Sequence, residues 1–300
     1  MSLRDGQRLR TFALVLDLGS ISAAASVLGY TQSAVSQQIA ALEHEVGLTL
    51  LNRAVRPVAL TDAGRLLAGH VESVLEHLAT AEAQLDAIRG LQAGRMRLAA
   101  FGSAYATFLP RALARFRARH PGVRLELVDA EPDVSLPLLR RGEVDLAIVY
   151  RFGIAVGDAD DWLEAAHLLD DEHRAVLPAR HRLAAREAIA VADLAEEAWI
   201  VPRGGGPARG YREGLERLCA DAGFAPRVAF ETDDLQAVQT FVAAGLGIAL
   251  MHDLTMPTRR QAIAVRPIEG PRLTRPVNAV TAAGRRSPAA TAMLDMLTQT

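Results

Sequence analysis

Gln32, Ser33, Ser36 and Gln37 are four polar residues of the kind that hydrogen-bond to the edges of nucleic-acid bases. On a helix they fall in the first turn and a half. On the same helix Val35, Ile39, Leu42 and Val46 recur at steps of four, three and four, forming an apolar stripe on the opposite face. Glutamine pairs with adenine in a bidentate way, and the first turns of a helix seated in the major groove meet the base edges. Any solvated helix face offers similar residues, so the flanking elements decide what this one means.

Those elements are legible as caps and stops. Ser22 is positioned to cap a first helix running to about Leu28, Gly29 to stop it, and Thr31 to cap a second helix opening at Gln32. Two helices separated by so short a turn cross steeply, which brings the apolar stripe onto Ala24, Ala25 and Leu28. The segment from Leu48 to Leu60, LTLLNRAVRPVAL, predicts a hairpin with Arg53 and Arg56 at the sides of its tip. Arginine there contacts phosphates or enters the minor groove, adding affinity rather than sequence choice. The first sixty-five residues hold six Arg against five Asp plus Glu, a net of +1. So weak an electrostatic footprint makes binding depend on a few well-placed contacts and on dimerisation.

Thr61 and Asp62 predict the start of a long helix. Leu67, Val71, Val74, Leu78, Ala81, Leu85 and Ile88 then follow at alternating steps of four and three, the heptad seam of a coiled coil. From Asp62 to Arg89 such a helix spans roughly 40 Å, too long to be buried inside a small winged module. The expected partner for the seam is a second copy; the alternative is an amphipathic helix lying on its own domain.

The run SISAAASVLGYTQSAVSQQIAALEHEVGLTLLNR, followed by VALTDAGRLL, resembles the N-terminal domain of LysR-type transcriptional regulators. The resemblance covers the first ninety residues, and the remainder fits in length and element order. It implies an α/β chain with a winged helix-turn-helix at 1–61, a linker and dimerisation helix at 62–89 and a hinge at 90–95. A two-lobed, periplasmic-binding-protein-like (type 2) effector domain at 96–300 would follow. It further implies that Gln32, Ser33, Ser36 and Gln37 read bases and that Arg53 touches DNA. Ser33 and Gln37 stand where the family often has proline and arginine, which removes one charged contact; Val55 replaces a frequent wing glycine. The implied partners are double-stranded promoter DNA, a small-molecule effector, further copies in a dimer or a dimer of dimers, and RNA polymerase.

Beyond Gly94, strands and helices alternate, as in a mostly parallel sheet covered on both faces. The resemblance makes this two lobes with crossings near Ala165 and Pro271, lobe I being 96–165 with 272–300 and lobe II 166–271. A cleft between lobes is where small molecules settle. Ser103 follows the first strand, Thr232 precedes Asp233-Asp234 at a helix start, and Arg203-Gly204 opens a glycine-rich loop. Together they would suit a carboxylate on the effector; plain helix capping accounts for Ser103 and Thr232 as well, and a solvated loop charge for Arg203.

Enzyme chemistry finds little support. No G-x-S-x-G elbow occurs, the eight histidines form no metalloprotease pair with glutamate, and Gly204-Gly205-Gly206 is followed by proline rather than Gly-Lys-Ser/Thr. Neither a metal nor a cofactor is expected. Cys219 is the single cysteine, so no internal disulfide forms, and it is expected to pack on a helix. A net charge of −2 gives no general attraction to membranes or nucleic acid. With no export signal or apolar span, the expected location is the cytoplasm.

Overall fold

A computed structural model describes residues 6–52, 57–89, 94–150, 161–203, 208–256, 262–270 and 274–299. The chain begins with three helices, α1 (Gly6–Leu18), α2 (Ile21–Leu28) and α3 (Gln32–Val46). The cap of α2 is Ser20 rather than Ser22: its backbone is extended and its side chain accepts from the Ala23 amide at 3.3 Å. Capping needs that extended backbone at the residue before the helix, and Ser22 is already helical, hydrogen-bonded at 3.0 Å to the Ser20 hydroxyl. Thr31 caps α3 by accepting from the Ala34 amide at 3.2 Å, and Gly29 closes α2 with φ +66°. Val35, Ile39 and Leu42 are buried with Ala24, Ala25 and Phe12, the last from α1, which the sequence reading did not identify. Burying Phe12 alone contributes roughly 1.5–3 kcal/mol.

Two short strands, β1 (Leu51–Asn52) and β2 (Ala59–Leu60), pair antiparallel as the stem of the expected hairpin. Arg53, Val55 and Arg56 at its tip lie outside the described residues. Thr61 then accepts from the Gly64 amide at 3.0 Å and opens α4 (Asp62–Arg89).

The heptad seam divides between two faces of α4. Leu67 and Val71 pack into the core containing α1, and the buried line continues through Leu75 to Ala79. Val74, Leu78 and Leu85 remain 45, 43 and 56 % exposed. The expectation of a seam facing only a second copy is thus corrected at its start: one side of the helix is covered by the chain itself and an adjacent side is left open.

The remaining elements are β3 (Gly94–Ala100), α5 (Gly102–Tyr105), α6 (Leu109–Arg119), β4 (Val123–Asp129), α7 (Pro132–Arg140), β5 (Leu146–Tyr150) and β6 (Leu163–Pro178). They continue with β7 (Ala198–Val201), α8 (Ala208–Asp221), β8 (Arg227–Glu231), α9 (Leu235–Ala243), β9 (Ala249–His252), β10 (Ile263–Pro267), β11 (Thr274–Ala282) and α10 (Pro288–Thr298). Parallel β4, β3 and β5 are joined by antiparallel β11, which pairs with β6 from Ala282↔Leu163 to Thr274↔Glu172. From His173 onward β6 pairs instead with β9 and β10. One strand therefore serves both lobes, and the crossing comes at Glu172–His173 rather than near Ala165. The acidic run Asp170-Asp171-Glu172 in the middle of β6 hides this continuity, because it interrupts the alternation that marks a strand. The second crossing, expected near Pro271, falls outside the described residues, between β10 and β11.

In lobe II, β7 and β8 pair in parallel and bridge to Ile248 through Trp199. Cys219 is buried on α8 beside that core, and burial pushes its thiol up to about 11. Among the described residues no helix is long and apolar enough to cross a membrane.

Lobe I is fastened to the N-terminal helical module. Leu138, Leu139 and Val144 share one apolar core with Val71 and Leu75 of α4 and with α1. Arg141 donates to Asp17 of α1, and Arg140 to Glu72 of α4 at 3.2 Å. Gly142 has φ +68°, and a Cβ there would stand 1.9 Å from the Ala79 Cβ. Gly142→Ala therefore meets both a left-handed backbone and a clash, and should cost about 2–4 kcal/mol. Thermal unfolding of the full chain should show the midpoint falling by roughly 5–10 °C, whereas Gly69→Ala, where nothing lies within 4 Å, should leave it near wild type.

Candidate functional site

On α3 the side chains of Gln32, Ser33 and Gln37 are exposed, and that of Ser36 is half-buried. The helix that carries them is fixed from behind. Thr11 of α1 donates to the Gln38 side chain, and Glu43 accepts from the amides of Leu50 and Leu51 at 2.8 and 3.2 Å. Glu43 thus ties the end of α3 to the first strand of the hairpin and sets where that hairpin departs. Its role has no clear sign in the sequence, because a glutamate late in a helix usually faces water.

A second site lies between the lobes. Lobe I contributes Phe101, Ser103, Glu131 and Tyr150, lobe II contributes Ile200, Thr232, Leu235 and Met251, and together they enclose a cavity of about 420 Å³. Arg275, near the start of β11, forms part of its wall. It is buried, donates to Asp171 at 2.9 Å and to the Ser103 hydroxyl at 3.0 Å, and lies over the Tyr150 ring with 4.3 Å to the centroid. Asp171 is buried too, and desolvation raises its carboxyl despite the neighbouring guanidinium. Glu131 accepts from the Tyr150 hydroxyl at 2.8 Å; burial raises its pKa, only partly offset by that bond and by Arg275. Burial, with the charges of Arg275 and His173, holds His252 well below the usual imidazole range; its ring centroid lies 3.7 Å from that of His173, the two rings tilted at 50°.

The residues expected from the sequence are only partly brought together. Ser103 and Thr232 line the same cavity from opposite lobes. Ser103 is not a helix cap: it lies inside the four-residue α5, and its hydroxyl accepts from Arg275. Thr232 does not cap α9 either. Asp234 does, accepting from the amides of Gln236 and Ala237, while Thr232 accepts from the Asp234 amide at 3.2 Å. Arg203 is exposed and is not part of the cavity wall; its amide donates to Asp233 at 2.9 Å and its guanidinium stands 4.0 Å from the same carboxylate. Gly204 lies outside the described residues. Arg275, Glu131, Tyr150 and His252 escaped the sequence reading. The one available signal was an arginine within the strand TRPVNAV, among Pro276, Val277, Ala279 and Val280.

Residues 89–300 match the LysR substrate binding domain, and residues 7–65 match the bacterial regulatory helix-turn-helix protein, lysR family. The RuBisCO operon transcriptional regulator of Allochromatium vinosum is 30% identical over 266 residues, 88% of this chain and 85% of that protein. The HTH-type transcriptional regulator CbbR of Rhodospirillum rubrum is 30% identical over 297 residues, 98% of this chain and 96% of the other. Among solved structures, full-length CbnR complexed with its target DNA aligns with TM-score 0.59 and 23% identity, covering 98% of this chain and 99% of that one. These relatives are regulators rather than enzymes.

The raised pKa of Glu131 has a definite sign for stability. The folded protein keeps this proton at pH values where the unfolded chain has lost it. The resulting cost is absent below the ordinary carboxylate pKa, appears as pH rises past it, and is complete above the raised folded value. Glu131→Gln keeps an acceptor for Tyr150 and removes the charge. Its unfolding midpoint should equal or exceed wild type at pH 7, and the advantage should vanish below about pH 4 when both are followed by calorimetry.

Proposed function

The chain belongs to the LysR family of transcriptional regulators, and on that premise we propose which of its residues read DNA and which hold the effector that modulates promoter binding. The observation that carries the DNA half is the capped, exposed start of α3: Gln32, Ser33 and Gln37 face outward on a helix held rigidly from behind. These residues, with Ser36, read bases in the major groove, while Arg53 and Arg56 on the wing contact the phosphate backbone or minor groove. The chain acts as a homodimer joined along α4 through Val74, Leu78 and Leu85, with the neighbouring Leu67 and Val71 supporting the seam from within, and two such dimers form the tetramer. It works in the cytoplasm on promoter DNA, with RNA polymerase as a further partner, and regulates by binding rather than by catalysis.

The effector occupies the cleft, its apolar body against Phe101, Leu235 and Met251. A carboxylate on it would reach the Ser103 hydroxyl and share Arg275 with Asp171. Glu131, whose carboxyl burial raises above the ordinary range, lines the same end of the cleft, with Thr232 facing it from the other lobe. Arg203 stands further out, beyond the cavity wall, and Gly204 is a candidate contact outside the described residues.

The assignment predicts different losses for the two kinds of contact. In anisotropy titrations with operator and scrambled duplexes, Gln32→Ala and Gln37→Ala should reduce discrimination between sequences, by about 1–3 kcal/mol for a bidentate pair. Arg53→Ala should weaken binding to every sequence and lower the salt slope by about 1. An equal loss on all sequences for all three variants would remove the base-reading assignment.

A further inference from the structure

We propose that α7 carries the state of the effector cleft to the DNA-reading module, with the Arg141–Asp17 ion pair as the joint that opens. The proposal rests on the reading of the cleft as the effector site, and concerns how that site is heard elsewhere.

The two ends of α7 stand at the two places that must communicate. Glu131, the residue before its first turn, lines the cleft and accepts from Tyr150. Nine residues later, a distance of about 13 Å along the axis, the chain reaches Arg140 and Arg141. Arg141 is 4 % exposed and donates to Glu143 at 2.6 Å and to Asp17, in the last turns of α1. Arg140 pairs with Glu72 of α4 and lies over the Trp162 ring, 4.6 Å from its centroid. A short helix with the cleft at one end and both DNA-module helices at the other transmits a shift without needing a chain of intermediaries.

The junction is also imperfectly satisfied, as a joint with two arrangements should be. The Arg141 Nη2 and Trp162 Nε1 donors are buried without hydrogen-bond partners. A cavity of about 460 Å³ separates α1, α4 and α7, with Ala13, Asp17 and Val71 on one side and Leu136 and Arg141 on the other. Unpaired buried donors and open space weaken the docked state relative to its ion pairs, because undocking returns those donors to water. These features lower the cost of undocking against the shared apolar core, which is the direction in which a ligand would bias the junction. An effector group that takes Glu131 away from Tyr150 moves the start of α7, and the far end then carries Arg141 off Asp17, freeing α1 and α4 from lobe I. By linkage, whatever loosens the junction alters the cleft end as well.

Amide hydrogen exchange on the full-length chain tests this without a ligand. Tyr150→Phe deletes the bond to Glu131 at the cleft, and Asp17→Asn weakens the joint. Tyr150→Phe should speed exchange several-fold in residues 12–18 of α1, outside the cleft altogether. Asp17→Asn should do the same in α1 and also speed exchange at the start of α7. The double variant should add little in α1 beyond Asp17→Asn alone. Should Tyr150→Phe not fold, Glu131→Ala makes the equivalent change at the same end. Exchange changes confined to the cleft, or fully additive in the double variant, would overturn the coupling. Occupancy of the cleft is judged separately, by melting shifts with small carboxylates on wild type and Arg275→Met. A failed coupling therefore leaves the effector reading standing, and the reverse holds too.

Discussion

The constraint on which the structure turns is the crowded seat of α4. This one helix closes the core of the DNA-reading module, lies against lobe I and still leaves Val74, Leu78 and Leu85 exposed on a further face. Val71, Leu75 and Ala79 are buried along one line, and Gly142 is glycine because Ala79 occupies the space its side chain would need. Val74 and Leu78, a step around the helix, stay exposed. Because successive heptad positions drift by about 20° on a straight helix, a seam of several heptads naturally divides between two neighbouring faces.

The electrostatics around the cleft follow from placing charges where water is scarce. Arg275 and Asp171 compensate each other at 2.9 Å, and the Tyr150 ring lies beneath the guanidinium. With that pair already satisfied, the group most easily altered by a ligand is Glu131, whose pKa burial raises and which accepts from the Tyr150 hydroxyl. A buried ion pair is weak evidence of stability but strong evidence of fixed geometry, since removing one partner strands the other. Here it fixes the position of Ser103 and hence the shape of the cavity.

Local chemistry made the DNA-reading module readable in advance. Thr31, Gly29 and the stripe Val35, Ile39, Leu42 act through contacts close in sequence, so spacing alone identified α3 and its outward face. Ser20 and Ser22 shows the limit: two hydroxyls compete for one cap, and only the backbone conformation after Gly19 decides. Long-range geometry was the larger gap. Arg275 meets Ser103 across 172 residues and Arg141 meets Asp17 across 124, pairings that no periodicity reveals. Thr232 and Arg203 were attractive for their types and positions, yet Asp234 and Asp233 answered the local demands first. The continuity of β6 through its acidic centre was hidden for a related reason. Asp171 is there to meet Arg275, and a buried charge looks like a surface loop when its partner is unknown.

The most direct measurement is fluorescence anisotropy of the full-length chain with the duplex upstream of its own gene and with a scrambled duplex of equal composition, at two salt concentrations. The module is nearly neutral and its reading face is polar rather than basic, so the upstream duplex should bind more tightly at both salts, with a salt slope reflecting only a few phosphate contacts. Absence of binding at low salt, or equal binding to both duplexes, would contradict an account in which α3 reads bases.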